Sequence, residues 1–382
     1  MRQLIASAFV GVVLGLIGGT AAAYPQFQLA RDQTCTGCHI SPAGGNLLNE
    51  NGLSQSEAMS QFGTAPEFFY NKLGTPDWLV LGGDLRGAAG FFQTPEKSIA
   101  AFPMQIEVYA SVLFGNFSLH VNAGPRPSQV GGNKLATSFW SREHYLMWKQ
   151  NKDDNYGLYA RVGRFMPVMG LRLAEHPVYT RRFGGTQLYA DTYGAAVEYV
   201  DAQFEAHATG FIEDPVIDPV SHSSGAAAYA ELRLGEHAAV GAESMYEHTA
   251  DDQTFRVGAT AKVYIPGPDL LFQAEGQFVN QLVNKTPTNP FGGAPKGLVG
   301  YVLASHMLGT AFLVDVGYGF YDSNFRIKNL DRDCFDLNLH WFTTSHLEIM
   351  LNARLELIGY DGDGHAGGPA GAYALIQGHY RL

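Results

Sequence analysis

The chain has 382 residues and carries 36 Asp+Glu against 25 Lys+Arg, a formal net charge of −11, which excludes nucleic acid as a partner. Only 16% of its residues are charged, while 45 are Gly, 24 Phe and 19 Tyr, an unusual mixture for a soluble chain of this size. Two all-β readings fit it, a large soluble sandwich or a transmembrane barrel, and the order of elements along the chain separates them.

Residues 1–23 read as a secretory signal peptide. Arg2 gives the positive n-region, Leu4 to Ile17 the apolar stretch, and Ala21-Ala22-Ala23 a small-residue cleavage site before Tyr24. No apolar run long enough for a transmembrane helix comes after it.

Residues 24–77 form a short segment too small to bury much of a core by itself. It contains Cys35-Thr36-Gly37-Cys38-His39, the C-x-x-C-H signature of c-type haem attachment. In that chemistry Cys35 and Cys38 add across the two vinyl groups of one covalent haem c, and His39 is the proximal ligand of the iron. A redox dithiol would want a βαβ context. A zinc site would want a further ligand nearby, and no other Cys or His lies within eighty residues of His39. Met59 is the local candidate for the distal iron ligand. His120, His207, His340 and His379, or water, are the others. The Pro42 carbonyl is a candidate acceptor for the His39 Nδ1 proton. One short helix is expected around 54–61, and the segment is expected to plug the periplasmic mouth of a barrel built by residues 78–382.

Residues 78–382 alternate. Ile106, Val108, Ala110, Val112 and Phe114 interleave with Gln105, Glu107, Tyr109 and Ser111; after Gly115-Asn116, Phe117, Leu119 and Val121 interleave with Ser118, His120 and Asn122. One face is apolar and the other polar, as a strand between lipid and lumen requires. The pattern recurs in about sixteen segments, at 78–92, 103–114, 117–125, 137–149, 155–165, 187–200, 203–212, 225–234, 238–248, 253–264, 270–279, 298–308, 311–322, 332–342, 346–358 and 371–382. Short turns (115–116, 150–154, 201–202, 235–237, 265–269, 309–310, 343–345) alternate with longer connections (125–136, 166–186, 213–224, 280–297, 359–370). That parity belongs to bacterial outer-membrane barrels. The last strand ends Tyr380-Arg381-Leu382, similar to the C-terminal insertion signal of such proteins, with Leu where Phe is usual. The polar face carries acids such as Asp84, Glu198 and Glu275 beside bases such as Arg161, Lys262 and Arg354, and is expected to line a solvated lumen with paired charges. Asp361-Gly362-Asp363-Gly364-His365 offers oxygen and imidazole ligands to a metal, although a solvated glycine-rich loop explains it as well.

The fold expected is therefore all-β, a transmembrane antiparallel barrel of about sixteen strands with a small N-terminal haem c plug. A single C-x-x-C-H at a mature N-terminus before a porin-like barrel resembles the fused monohaem cytochrome–porin proteins of outer membranes, the iron-oxidising cytochromes among them. The likeness in residues runs from Pro25 to His39. It implies that Cys35 and Cys38 hold the haem, that His39 ligates it, and that the chain passes electrons between an extracellular metal or mineral and a periplasmic carrier such as a soluble c-type cytochrome. Were ferrous iron the donor, the protein would be an Fe(II)-oxidising cytochrome. Ser41-Pro42-Ala43-Gly44-Gly45 is more glycine-rich than that family suggests. Gly163-Arg164-Phe165-Met166-Pro167, with Gly170-Leu171 shortly after it, resembles the edge of the inward-folding third loop of phosphate-selective porins. It implies a constriction by 166–186, with Arg172, Arg181 and Arg182, but no phosphate selectivity, since the lumen lacks a dominant basic lining. A diffusion porin with a haem-bearing plug or gate is the alternative function, and a haem-based sensor or assembly partner a third.

Overall fold

The computed structural model describes the chain apart from residues 1–26, 31–32, 46, 95, 126–138, 176, 189, 214–222, 250–251, 285–294, 328–330 and 359–368. The signal peptide and the Asp361–His365 run lie outside the described residues. No described helix is long and apolar enough to cross a membrane.

Sixteen antiparallel strands close into one barrel. They are β1 Leu79–Thr94, β2 Glu96–Phe114, β3 Phe117–Pro125, β4 (Phe139–Trp140 continued by His144–Lys149), β5 Gly157–Phe165, β6 Thr192–Val200, β7 Phe204–Ile212 and β8 Ser224–Arg233. The circuit continues through β9 Ala238–His248, β10 Asp252–Ile265, β11 Leu270–Asn284, β12 Lys296–Leu308, β13 Phe312–Asp322, β14 Asp331–Phe342, β15 Leu347–Ile358 and β16 Pro369–Arg381. Each strand pairs with its neighbours in sequence, and β1 also pairs with β16, in a register that sets Asp84 opposite Arg381 and Gln93 opposite Ala372. Closure leaves no sheet edge, so every backbone group in the spanning region finds a partner.

Burial is inverted relative to a water-soluble fold. On β2 and β3 the polar Glu107, Ser111, Ser118, His120 and Asn122 are buried, whereas Ile106, Val108, Leu119 and Val121 are exposed. The outer face is thus the apolar one, as a lipid-contacting surface must be. The boundary that differs most from the sequence expectation lies at the β1–β2 turn, while the expected 187–200 begins at Thr192 and the expected 270–279 runs on to Asn284. β1 and β2 pair on from 92 and 103 to Thr94 and Glu96, and residues 96–103 are exposed throughout. With no face to bury there, selection leaves no period-two signal to read.

Two segments of the chain enter the lumen and narrow it, leaving a cavity of about 720 Å³. The segment 166–191 after β5 folds inward and carries a short helix, Tyr179–Gly184. Leu171, Leu173, Val178 and Tyr179 pack against Val299, Tyr301 and Leu303 of β12 and Cys334 of β14 on the far wall. Phe183 stacks on Tyr321 with ring centroids 3.9 Å apart. Arg182 reaches Glu356 at 3.0 Å, and Arg181 Nη1 donates to the Leu173 and Ala174 carbonyls at 2.9 Å, bracing the loop on itself. Below it, at the end of the short turns, the N-terminal segment occupies the mouth. Leu29 packs on Ala239 and Leu271, and Lys262 Nζ donates to Gln28 at 2.6 Å. The Gln61 and Phe62 amides donate to the Phe342 and Thr343 carbonyls, and His346 Nε2 lies 2.7 Å from the Ala65 carbonyl. Some of the wall charges between these contacts are paired, Arg161 with Glu198 through two 2.8 Å hydrogen bonds and Lys262 with Glu231 at 2.6 Å. Pairing offsets part of the cost of burying these charges.

Candidate functional site

Cys35–Cys38 is a single helical turn, and the His39 amide closes it on the Cys35 carbonyl at 2.8 Å. That turn is held from the next helix, Glu50–Met59. Asn49 caps the helix by accepting from the Gly52 amide at 3.0 Å and donates its Nδ2 to the Thr36 carbonyl at 2.9 Å. Asn51 Nδ2 donates to the Gly37 carbonyl at 2.8 Å. Position 52 has to be glycine, because a Cβ there would lie 2.2 Å from the Cys38 carbonyl oxygen. The run Asn49-Glu50-Asn51-Gly52 is therefore the scaffold of the cysteine–histidine turn, and the helix expected around 54–61 begins earlier, at Glu50. A capping asparagine three residues before a helical glycine was the available signal.

Cys35, Cys38 and His39 all line one cavity of about 720 Å³, within the size range of cofactor pockets, roughly 300–1,000 Å³. Its other walls are β1 and β2 (Asp84, Arg86, Glu107, Tyr109), the inward loop (Met166, Met169, Arg172) and the last residues of the chain. His39 Nδ1 is buried without a hydrogen-bond partner, so the Pro42 carbonyl does not accept its proton. Burial, helped by the charge of Arg381, pulls the His39 imidazole down to about 4. It is neutral at physiological pH, the form that ligates a metal. Burial pushes the Cys35 thiol up to about 11. Two thiols, a neutral imidazole with an orphaned nitrogen and an adjoining void fit a covalently attached porphyrin.

The structure does not bring Met59 to this cavity. Its side chain is buried in a separate crevice with Ser56, Phe342, Thr344 and Leu347 at the β14–β15 turn. Of the four wall histidines only His379 lines the cavity. Its Nε2 is 2.7 Å from Asp84 and its Nδ1 3.3 Å from Glu348. His207 and His340 face carboxylates as well, Glu198 at 3.0 Å and Glu348 at 2.8 Å, while His120 bonds Ser118 at 2.7 Å. Three thioethers do line the cavity, Met104, Met166 and Met169. They come from β2 and from the loop, far apart in sequence, so no local spacing announces them. No group of three or more His, Cys, Asp or Glu able to hold a metal ion occurs among the described residues.

No protein-family model matches the chain, and no curated protein matches it. Solved outer-membrane barrels do. OmpT of Vibrio cholerae superposes with a TM-score of 0.59 at 13% identity, over 81% of this chain and 100% of that one. An anion-selective porin from Comamonas acidovorans gives 0.59 at 12% identity, over 80% and 99%. OmpF of Salmonella typhi, solved in complex with daunomycin, gives 0.60 at 9% identity, over 80% and 97%. At such identities the likeness gives the fold, a sixteen-stranded porin barrel.

Proposed function

We propose that the chain is an electron-transfer conduit of the bacterial outer membrane. A c-type haem held by Cys35, Cys38 and His39 sits in a barrel that the polypeptide itself fills, between an extracellular donor or acceptor, ferrous iron or a mineral, and a periplasmic carrier such as a soluble c-type cytochrome. The observation that carries this reading is the single cavity onto which both cysteines and His39 open, enclosed between the plugging segment and the inward loop. A haem bound there would supply one-electron chemistry at its iron, tuned by axial ligand and burial. The chain's own residues supply the rest. His39 offers a neutral imidazole from a rigid turn, and Asn49, Asn51 and Gly52 hold that turn in place. Tyr179 and Leu171 on the loop, with Leu29 and Gln61 on the segment, close the lumen to bulk water and solutes. The apolar outer face keeps the barrel in lipid.

The test is reduction of the detergent-purified protein by Fe(II) and by other small reductants, monitored as sharpening of the haem α-band. A protein with no covalently bound haem would end the reading. The second reading, a diffusion porin in which the segment is a plug or gate, is favoured by the likeness to porins. A wide, ohmic conductance in planar bilayers that persists without haem would select it; a closed or barely conducting barrel selects the conduit.

A further inference from the structure

The cavity beside Cys35 and Cys38 holds more arginine than the protein satisfies. Arg86, Arg142 and Arg172 all line it, and each keeps one buried N–H without a partner, at Arg86 Nε, Arg142 Nε and Arg172 Nη1. Their existing partners engage other atoms or stand too far off. Arg86 Nη2 lies 3.1 Å from His379 Nδ1, and Arg172 uses Nη2 on Glu205. Arg142 is 3.7 Å from Glu107 and 3.8 Å from Asp191, beyond hydrogen-bond reach. Leaving a buried donor unmet is costly, the more so on a charged group. Three around one void call for an acceptor that the polypeptide does not contain. The guanidinium fork matches carboxylate oxygens.

We infer that Arg86 and Arg142 form a clamp for two carboxylates, the propionates of the porphyrin attached at Cys35 and Cys38. The inference rests on the haem reading above. The vinyl groups that thiols attack and the propionates occupy opposite edges of the macrocycle, so the carboxylates must point away from the cysteines. Arg86 and Arg142 stand on barrel-wall residues rather than on the cysteine segment, and they flank the same stretch of β2. Arg86 pairs in register with Gln105, and Arg142 faces Glu107. Asp84, Glu107 and Asp191 share this end of the cavity and temper its charge without bonding either orphaned Nε. Arg172 is placed differently: it comes from the inward loop and its Nη2 is held by Glu205 of β7 rather than beside β1 and β2.

The test uses the haem-loaded full chain with R86Q, R142Q and the double substitution, against R86K and R142K. Thioether attachment is set by the cysteines, so every variant keeps its haem stain. Each lost guanidinium lowers the reduced-to-oxidised ratio at a fixed potential by about tenfold, the effect of one unit charge roughly 12 Å away at an effective dielectric near 20. The Lys variants recover most of that ratio, which a merely structural role would not allow. Gln variants that titrate like wild type overturn the clamp. Should inorganic phosphate shift the wild-type potential, and the double variant abolish that shift, the arginines hold a soluble anion and the propionate assignment falls. If the double variant does not fold, the single R142Q protein decides by the same ratio. A wild-type protein without haem instead refutes the reading beneath, before any arginine is changed.

Discussion

The main-chain amide of Leu171 donates to the Glu275 carboxylate at 2.9 Å. This bond crosses the barrel, from the loop after β5 to the inner face of β11. It is possible because residue 170 is glycine, with φ of +67° and a Cβ position only 2.5 Å from Glu275 Oε1. Backbone and carboxylate can meet only where no side chain intervenes.

Gly170→Ala should therefore undock the loop. The added methyl meets Glu275 and strains a left-handed backbone, at a cost of about 1–3 kcal/mol. The barrel should still form, because its strands do not use this contact. The expected outcome is higher single-channel conductance and protease cleavage within 166–191; wild-type conductance and protection would count against the loop as a seal.

Cys35→Ala with Cys38→Ala should abolish haem staining while the barrel remains heat-modifiable on gels. The thiols lie outside the strand ladder, so the fold has no need of them. Haem that survives denaturation in this variant would refute thioether attachment.

Met59→Ala should leave the haem spectrum of the loaded protein unchanged, since that side chain is buried in its own crevice at the β14–β15 turn. Its cost should be one of packing, about 2–5 kcal/mol for a buried methionine, seen as a weaker hold of the segment on the barrel. A lost sulfur-to-iron charge-transfer band on this substitution would restore Met59 as the distal ligand.

The haem-free double cysteine variant should also show a pH dependence confined to its N-terminal segment. An unfolded imidazole titrates near 6.5, and burial lowers His39 to about 4. Between those values the unfolded segment binds a proton that the folded one does not, so stability rises with pH. The contribution is whole above about 6.5 and lost as the pH falls toward 4. Hydrogen exchange, corrected for intrinsic rate, should show residues 33–60 opening as acid is added, and His39→Gln should flatten the response. Equal protection at both ends of the window would contradict a buried neutral imidazole.

Most of the barrel was legible because a membrane barrel writes its geometry into the chain at the shortest possible range. Each strand must alternate, lipid side and lumen side, so residues such as Leu119 and His120 report their faces without any knowledge of partners. The signal failed at 96–103, where both faces are exposed. It could not show whether the lumen was open, since a polar wall is equally compatible with water or with a loop packed against it.

The attachment turn was likewise local: Cys35, Cys38 and His39 lie within one helical turn and one residue. Its surroundings were not. Met104 and Met169 come from different elements, and Arg86, Arg142 and Arg172 come from a strand, a strand break and a loop. None has a spacing relation to Cys35, so only the closed barrel and the inward loop bring them to one cavity.

The sequence by itself determined the strand alternation, the parity of turns and the thiol–imidazole triplet, because each depends on neighbours one to four residues apart. The tertiary structure alone decided that the loop after β5 turns into the lumen, that Met59 does not line the cavity of Cys35, Cys38 and His39, and that three arginines gather around the same void. Those facts depend on contacts between segments tens to hundreds of residues apart, for which a linear pattern carries no period.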